Sequence, residues 1–398
     1  MNNQTITVVG QGYVGLPLAI EASKVGFKVY GFDNDLSKIE FLLKGKSLVE
    51  DIKDAEITSS LKSENYLPTI NPDVIAKSEI VLICVPTPLD IDQKPDLSAL
   101  REATTLVGQY LQSGAIVIIE STIEPGTCRE IILPILVGAS GLKVHEFQLA
   151  YSPERVDPTN KVWRIKNTPK LVAGIDNIAT YKAIQFYSKF VDSVVSCSSI
   201  EIAETAKLLE NSFRLINISL INEIAMFCNK MQIDINEVIS AAASKPYGFM
   251  PFYPGVGAGG HCIPVDPMYL SNKARKVGAS TKLIDLAHQI NLEMPIYIAN
   301  RVEHQLGEIS GKRILIVGIS YKPNIGDIRE SPVLRLILEL TKRGANVSWH
   351  DDLVREWNGQ TSVPLSEGFD LAIIATAHDY VNLAKLRNVP VLNTKGSI

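Results

Sequence analysis

The sequence predicts an α/β protein: two parallel-sheet domains joined by a long central helix and a helical middle region. Three observations predict it. Short apolar runs at 5–9, 28–32, 79–85, 115–119 and 148–151 stop in loops rich in Gly, Pro, Ser and Thr, and helical patterns lie between several of them, the rhythm of βα units on a parallel sheet. The rhythm starts again near residue 312, with apolar runs at 312–319, 347–350, 371–375 and 389–392. Between the two, 200–230 has no Pro or Gly and repeats Ile202, Ala206, Leu209, Phe213, Ile216, Leu220 and Ile224 at helical spacing. Such a helix is about 45 Å long at about 1.5 Å per residue, more than one small domain needs, so it is expected to bridge domains and to lend a face to a homodimer.

At 398 residues the chain exceeds one ordinary core, which also argues for two or three domains. Its composition is 46% apolar and 21% charged, that of a soluble globular protein, and a net charge of -4 gives no electrostatic case for nucleic acid. No run is long and apolar enough to cross a bilayer, since the apolar piece near 131–142 is short and carries a proline, and no basic-then-apolar leader opens the chain. The five cysteines, at 84, 128, 197, 228 and 262, are scattered with no Cys-x-x-Cys. That spacing fits a reducing cytoplasm and argues against a disulfide framework or a metal site.

The run 5–9 leads into Gly10-Gln11-Gly12-Tyr13-Val14-Gly15, then a helical stretch, then a strand ending at Asp33. The first glycine makes a tight turn, the second lets backbone approach a pyrophosphate at a helix N-terminus, and the third allows close helix–strand packing. Asp33 is placed to bind a ribose 2′-hydroxyl and would repel a 2′-phosphate, so the expected cofactor is NAD and not NADP. Later runs end in Val85-Pro86-Thr87-Pro88, in Glu120-Ser121-Thr122 and in Ser152-Pro153-Glu154-Arg155. In a parallel sheet these are carboxyl-end loops, where ligands bind; plain strand-to-loop punctuation is the weaker alternative, less weak for Thr87 than for Ser121-Thr122.

On the central helix Lys207 and Asn211 are spaced i, i+4 and share a face; by themselves they read as a solvated lysine with a polar neighbour. Further helical patterns follow at 235–244, 268–277 and 281–305. Within 254–267, Gly255, Gly257, Gly259 and Gly260 precede Cys262, and Asp266 follows four residues later. Glycines at that density let backbone lie against a ligand, and a cysteine set directly after them reads as a nucleophile more readily than as a small buried hydrophobe. The last α/β segment has no Gly-x-Gly-x-x-Gly, so it is expected to bind a different nucleotide, with Lys322 and Arg329 as candidate phosphate ligands.

Taken together, these residues resemble the UDP-glucose/GDP-mannose dehydrogenase family over nearly the whole chain. The matching motifs are Gly10-x-Gly12-Tyr13-Val14-Gly15, Val85-Pro86-Thr87-Pro88, Ser121-Thr122-x-x-Pro125-Gly126-Thr127, Ser152-Pro153-Glu154-Arg155, Lys207-x-x-x-Asn211, Gly259-Gly260-x-Cys262-x-x-x-Asp266 and Asp327-x-Arg329-Glu330-Ser331. The resemblance implies an NAD-binding Rossmann domain (1–198), a central helical dimerisation domain with the cysteine loop (199–305) and a UDP-sugar-binding Rossmann-like domain (306–398). It implies two oxidations of a primary alcohol to a carboxylate. Cys262 is then the thiohemiacetal- and thioester-forming nucleophile, Lys207 and Asn211 are oxyanion donors, Asp266 and Thr122 hold a water, and Glu154 is the base for thioester hydrolysis. NAD is implied to lie against Gly10, Gly12, Tyr13, Val14, Gly15, Asp33, Val85, Pro86, Thr87, Ser121, Thr122 and Arg329. The UDP-sugar is implied to lie against Glu154, Arg155, Lys207, Asn211, Tyr253, Gly259, Tyr321 and Lys322.

Three details resemble the branch of the family that acts on UDP-N-acetylhexosamines, the gluco sugar foremost: Lys245-Pro246-Tyr247-Gly248-Phe249, Phe252-Tyr253-Pro254-Gly255 and His261-Cys262-Ile263-Pro264-Val265-Asp266-Pro267. The UDP-glucose branch carries a further glutamate where this chain has Pro158. After the last strand the family's Asp-x-Arg is replaced by Asn393-Thr394-Lys395. UDP-N-acetylmannosamine and UDP-glucose stay open as substrates. So do a two-electron hydroxyacid-type dehydrogenase, which needs no cysteine, and a non-catalytic NAD-binding regulator.

Overall fold

In the computed structural model, residues 4–49, 51–157, 160 and 162–396 are described. They fall into two compact units, 1–209 and 210–398.

The first unit is built on one sheet of eight strands: β1 (Thr5–Val9), β2 (Lys28–Phe32), β3 (Tyr66–Thr69), β4 (Ile80–Ile83), β5 (Ile116–Ile119), β6 (Gln148–Tyr151), β7 (Lys170–Gly174) and β8 (Val194–Ser196). Their order is β3-β2-β1-β4-β5-β6-β7-β8, parallel throughout except where β6 meets β7. Helices α1 (Gly15–Lys24), α2 (Leu36–Leu43), α3 (Asp54–Lys62), α4 (Ser98–Tyr110), α5 (Leu133–Ser140) and α6 (Asn177–Tyr187) cover it. The short central strands read as uninterrupted apolar runs because both faces are buried. Successive residues then serve opposite cores: Ile80, Leu82 and Ile118 pack on one face, and Val81, Ile83 and Val117 on the other. Strand order reverses at β1, between β2 and β4, and this is where a doubly wound sheet opens a crevice at its carboxyl edge.

Helix α7 (Ile200–Met231) carries the chain from the first unit into the second, as its unbroken apolar periodicity predicts. At its start, the Glu204 carboxylate accepts backbone N–H groups of Gly126 (2.5 Å) and Cys128 (3.0 Å).

The second unit adds α8 (Ile235–Ala243), α9 (Asp266–Lys276), α10 (Lys282–Leu306) and α11 (Pro332–Lys342) to a four-stranded parallel sheet. That sheet runs β10 (Asn346–His350), β9 (Arg313–Val317), β13 (Leu371–Ile374), β14 (Val391–Asn393). Between β10 and β13 a small hairpin pairs β11 (Glu356–Trp357) with β12 (Gln360–Thr361). Its turn is Asn358-Gly359, both at positive φ, the pair that a two-residue hairpin turn favours. Val256, Ile298, Ala299 and Val302 share one core with Ile314, Ile316, Leu336, Trp349 and Ile373, so the helical middle of the chain packs with the segment that follows it.

Three strands escape the reading of apolar runs. β3 is an edge strand containing Pro68, β8 is a three-residue edge, and β7 opens on a lysine. Each of these features removes the signal that a buried strand normally gives.

Candidate active site: a dinucleotide crevice and a cysteine loop

The dinucleotide fingerprint takes the geometry its spacing predicts. Gly10 follows β1 with φ +91°, and its N–H bonds to the Phe32 carbonyl at 2.8 Å. A Cβ there would lie 2.5 Å from the Cys84 carbonyl oxygen, and a Cβ on Gly15 would lie 1.8 Å from the Gly10 carbonyl oxygen. Both positions are closed to side chains. Gly12 is different: a Cβ there would meet nothing within 4 Å, so its backbone faces open space at the start of α1. This is the cradle that a pyrophosphate needs. Asp33 is buried at the end of β2, where its carboxylate accepts the N–H groups of Gln11 (2.8 Å) and Asp35 (3.0 Å) and has Lys38 Nζ at 3.5 Å. Gln11 is held in turn by Val8 and Gly10 carbonyls and by the Tyr66 hydroxyl at 2.7 Å. The chain therefore presents a fixed acid beside the glycine turn, as a ribose hydroxyl requires.

The loops after β4 and β5 are tied together. Thr87 Oγ1 donates to the Thr122 carbonyl at 2.9 Å, and Ser121 Oγ to the Val85 carbonyl at 2.7 Å. After β6, Glu154 folds onto its own backbone and accepts the N–H groups of Arg155 (2.7 Å) and Val156 (2.6 Å). Its other oxygen is 3.6 Å from the buried Lys170 ammonium. The Arg155 guanidinium donates to the Pro169 carbonyl at 2.6 Å. Lys207 is buried on α7. Pro158 lies outside the described residues.

In the second unit the cysteine loop is gripped at three points. Asn222 on α7 accepts the Gly255 N–H at 3.0 Å, Asn291 on α10 pairs with both backbone groups of Ala258 (2.6 and 3.1 Å), and the Arg329 carbonyl accepts the Gly260 N–H at 3.1 Å. The glycines explain how close the approach is. A Cβ on Gly259 would lie 2.7 Å from Tyr321 Cβ, and one on Gly260, at φ +80°, would lie 2.7 Å from the Tyr321 ring. Beyond the loop, the Cys262 carbonyl accepts the N–H of Asp266 at 2.8 Å, and that turn starts α9. Asp266 is buried, and Asn211 Nδ2 donates to its carboxylate at 2.6 Å. The structure thus brings together Asn211 with Asp266, and Gly259 with Tyr321. Tyr253 is exposed. Arg329 forms a two-pronged ion pair with Asp327, Nε at 3.0 Å from both oxygens and Nη2 at 2.5 Å from one.

The other thiols are poor nucleophiles. Cys84, Cys128 and Cys228 are buried, and burial pushes the thiols of Cys84 and Cys128 far up. Cys197 is also raised by burial, which outweighs Arg155. Cys262 is partly exposed and follows a loop shaped for close approach.

Sequence reasoning missed Asn222, Asn291, Lys170, Glu120 and Asp351. Asp351 directly follows β10 as Asp33 directly follows β2, and Gly318 follows β9 at φ +82° as Gly10 follows β1. The Asp351 carboxylate is fully engaged. It accepts the N–H groups of Ile319, Ser320, Leu353 and Val354, the Ser320 hydroxyl, and His378 Nε2 at 2.9 Å. His378 Nδ1 accepts the Asn324 N–H at 2.8 Å, so the ring proton sits on Nε2 and the dyad fastens the loop that carries Tyr321 and Lys322. The available signal was the repeated strand–glycine–strand–acid order, without the remaining glycines.

Among the described residues no helix is long and apolar enough to cross a membrane, and no cluster of three or more His, Cys, Asp or Glu could hold a metal ion.

Comparison with known proteins agrees with this geometry. Family models of the UDP-glucose/GDP-mannose dehydrogenases match in three consecutive parts: the NAD binding domain at 4–191, the central domain at 201–293 and the UDP binding domain at 315–396. The chain is 36% identical to a UDP-N-acetyl-D-glucosamine 6-dehydrogenase of Pseudomonas aeruginosa, over 95% of this chain and 91% of that protein. It is 35% identical to the protein CapL of Staphylococcus aureus, over 100% of this chain and 96% of that one. The solved structure of a UDP-D-ManNAc dehydrogenase from Pyrococcus horikoshii superposes with a TM-score of 0.91 at 30% identity, covering 98% of this chain and 95% of the other. With all three domains matched and the glycine turn built to receive a dinucleotide, the chain belongs to the UDP-glucose/GDP-mannose dehydrogenase family and is an NAD-dependent oxidoreductase of nucleotide sugars.

Proposed function

We propose that this enzyme oxidises C6 of a UDP-N-acetylhexosamine, UDP-N-acetylglucosamine foremost, through the aldehyde to the uronic acid. The observation that carries the reading is the cysteine loop. Cys262 is partly exposed one turn before a buried carboxylate, Asp266, that Asn211 holds by hydrogen bond. Bound NAD supplies a hydride acceptor, and two equivalents are used per sugar. Asp266 takes up, through water, the proton that the C6 hydroxyl loses in the first oxidation. An aldehyde has no direct route to a second hydride loss, so the Cys262 thiolate adds to its carbonyl carbon and makes a thiohemiacetal. Loss of hydride from that carbon leaves a thioester. Lys207 and Asn211, one turn apart on α7, are the donors for the oxyanions formed on the way. Glu154 deprotonates the water that hydrolyses the thioester and frees the thiol.

UDP-N-acetylmannosamine is the second reading, favoured by the likeness to the Pyrococcus horikoshii structure. The product of either would be a precursor for surface polysaccharide made in the cytoplasm by a homodimer. The test is stoichiometry with limiting UDP-sugar and excess NAD⁺, run on the gluco, manno and glucose derivatives in parallel. About two NADH per N-acetylglucosamine sugar is expected. One NADH would sink the thioester route, and faster turnover of another sugar would reassign the substrate. Cys262→Ser is expected to abolish acid formation while leaving both ligands bound.

A further inference from the structure

Lys170 is a lysine at the head of a strand whose every residue is buried. Taking an ammonium out of water costs several kcal/mol unless partners offset it. Its partners are two carboxylates and a carbonyl. Nζ donates to Glu120 at 2.6 Å and to the Pro153 carbonyl at 3.2 Å, and it lies 3.6 Å from Glu154. Glu120, fully buried at the end of β5, also accepts the Tyr187 hydroxyl of α6, whose ring lies under the ammonium at 5.3 Å. The Cys84 thiol at the end of β4, pushed well up by burial, and the Arg155 guanidinium, which donates to the Pro169 carbonyl, are further titratable neighbours. Lys170 thus joins the loop after β5, which continues into Ser121 and Thr122, to the loop after β6, which carries Glu154. The site contains two acids and one base. Burial pushes Glu120 up to about 7 even with Lys170 beside it, and Glu154 adds to the rise.

We propose that Lys170 is a positioning residue for the acid-forming step, a buried cation shared between Glu154 and Glu120 that holds the Glu154 carboxylate in place. This rests on the assignment of Glu154 as the base for thioester hydrolysis. A purely structural tie between β7 and β5 would slow every step alike or none. A positioning role toward Glu154 slows the breakdown of the Cys262 adduct and leaves its formation alone.

The experiment follows the covalent sugar adduct on Cys262 by mass spectrometry of the quenched intact enzyme during one turnover, and compares the rate at which the adduct forms with the rate at which it decays. Glu154→Gln is expected to slow decay at least about tenfold and to leave formation unchanged. Lys170→Met is expected to slow decay severalfold with formation unchanged, and Lys170→Arg to restore it. If Glu154→Gln slows decay but Lys170→Met decays at the parent rate, or slows formation as much as decay, the inference is wrong and the base assignment stands. If Glu154→Gln decays at the normal rate, both are wrong. Should Lys170→Met fail to bind NAD or lose its thermal transition, Lys170→Gln, which keeps a hydrogen-bond donor without the charge, takes its place under the same criteria.

Discussion

Asn211 Nδ2 donates a 2.6 Å hydrogen bond to the carboxylate of Asp266, so a residue on the long helix α7 fixes the first residue of α9. The pair is buried. The amide satisfies one carboxylate oxygen, and the start of α9 favours negative charge there. Asp266→Asn keeps the shape and removes the charge. It is expected to lower kcat by about 10²-fold or more while shifting Tm little. Asn211→Ala is expected to do both kinds of damage, because it takes a hydrogen bond away from a buried carboxylate at a cost of about 1–3 kcal/mol. Thermal melts beside steady-state kinetics separate the two, and normal turnover in Asp266→Asn would show that the carboxylate only caps a helix.

The cysteine loop offers a comparison within a few residues. Gly260 has φ +80°, and an added Cβ would sit 2.7 Å from the Tyr321 ring, whereas a Cβ on Gly255 would meet nothing within 4 Å. Gly260→Ala is expected to cost about 1–2 kcal/mol for the left-handed backbone alone and to displace Tyr321 besides. The readout is a raised KM for the UDP-sugar with NAD binding unchanged. Gly255→Ala is expected to behave as the parent enzyme. Equal effects from the two would mean that the loop is shaped by something other than its contact with Tyr321.

Two buried carboxyls of the first unit should make its stability fall with rising pH. Burial pushes both Glu120 and Glu204 up to about 7, against 4.5 for an ordinary glutamate. Between those values the folded chain keeps the protons and the unfolded chain releases them. Each group therefore stabilises the fold on the acid side, and that contribution is lost as pH rises from about 4.5 to about 7, at up to about 1.4 kcal/mol per pH unit. Denaturant unfolding of the enzyme is expected to show a higher midpoint at pH 5.5 than at pH 7.5, and Glu120→Gln is expected to flatten the difference. Asp351 acts in the opposite sense. Burial disfavours its charge, but His378 and four backbone N–H groups more than offset this and hold its carboxyl below the usual range, so its contribution is lost only in strong acid.

The outer side of α7 carries a row of large apolar side chains. Leu209, Phe213, Leu220 and Phe227 are each exposed and fall within about 40° of one another on the helix, at about 100° per residue. Asn211 points to the other side, toward Asp266. If a second copy covers this row, Phe213→Glu and Leu220→Glu are expected to turn a dimer into a monomer in sedimentation, without loss of NAD binding. A parent enzyme that sediments as a monomer would remove the idea.

Much of this was legible because it is local. The glycine turn, its acid and the cysteine loop each lie within a few residues, and their glycines answer to backbone geometry that sequence spacing reports directly. Long-range contacts were not legible. Nothing in Lys170 and Glu120 announces that they meet, fifty positions apart, and a lysine opening a strand reads as the end of an apolar run. Asn222 and Asn291 sit in helical patterns where an amide looks like an ordinary polar break, yet each holds the backbone of the cysteine loop. The helical middle of the chain gave no sign of which neighbour's core it would join, because apolar periodicity shows that a face is buried and not against what.

The acids at the ends of β2 and β10 start from the same backbone device, a positive-φ glycine after one strand and a carboxylate after the next. They have been put to different uses. Asp33 stands beside the glycine turn of the dinucleotide fingerprint, whereas all of Asp351's bonding capacity is spent internally. A protein built from two such frames faces a problem of mistaken identity, since either crevice could invite the other's nucleotide. His378 takes up part of the bonding capacity of one of the two acids, so an attempt to exchange ligand preference between the halves would begin at His378 sooner than at any glycine.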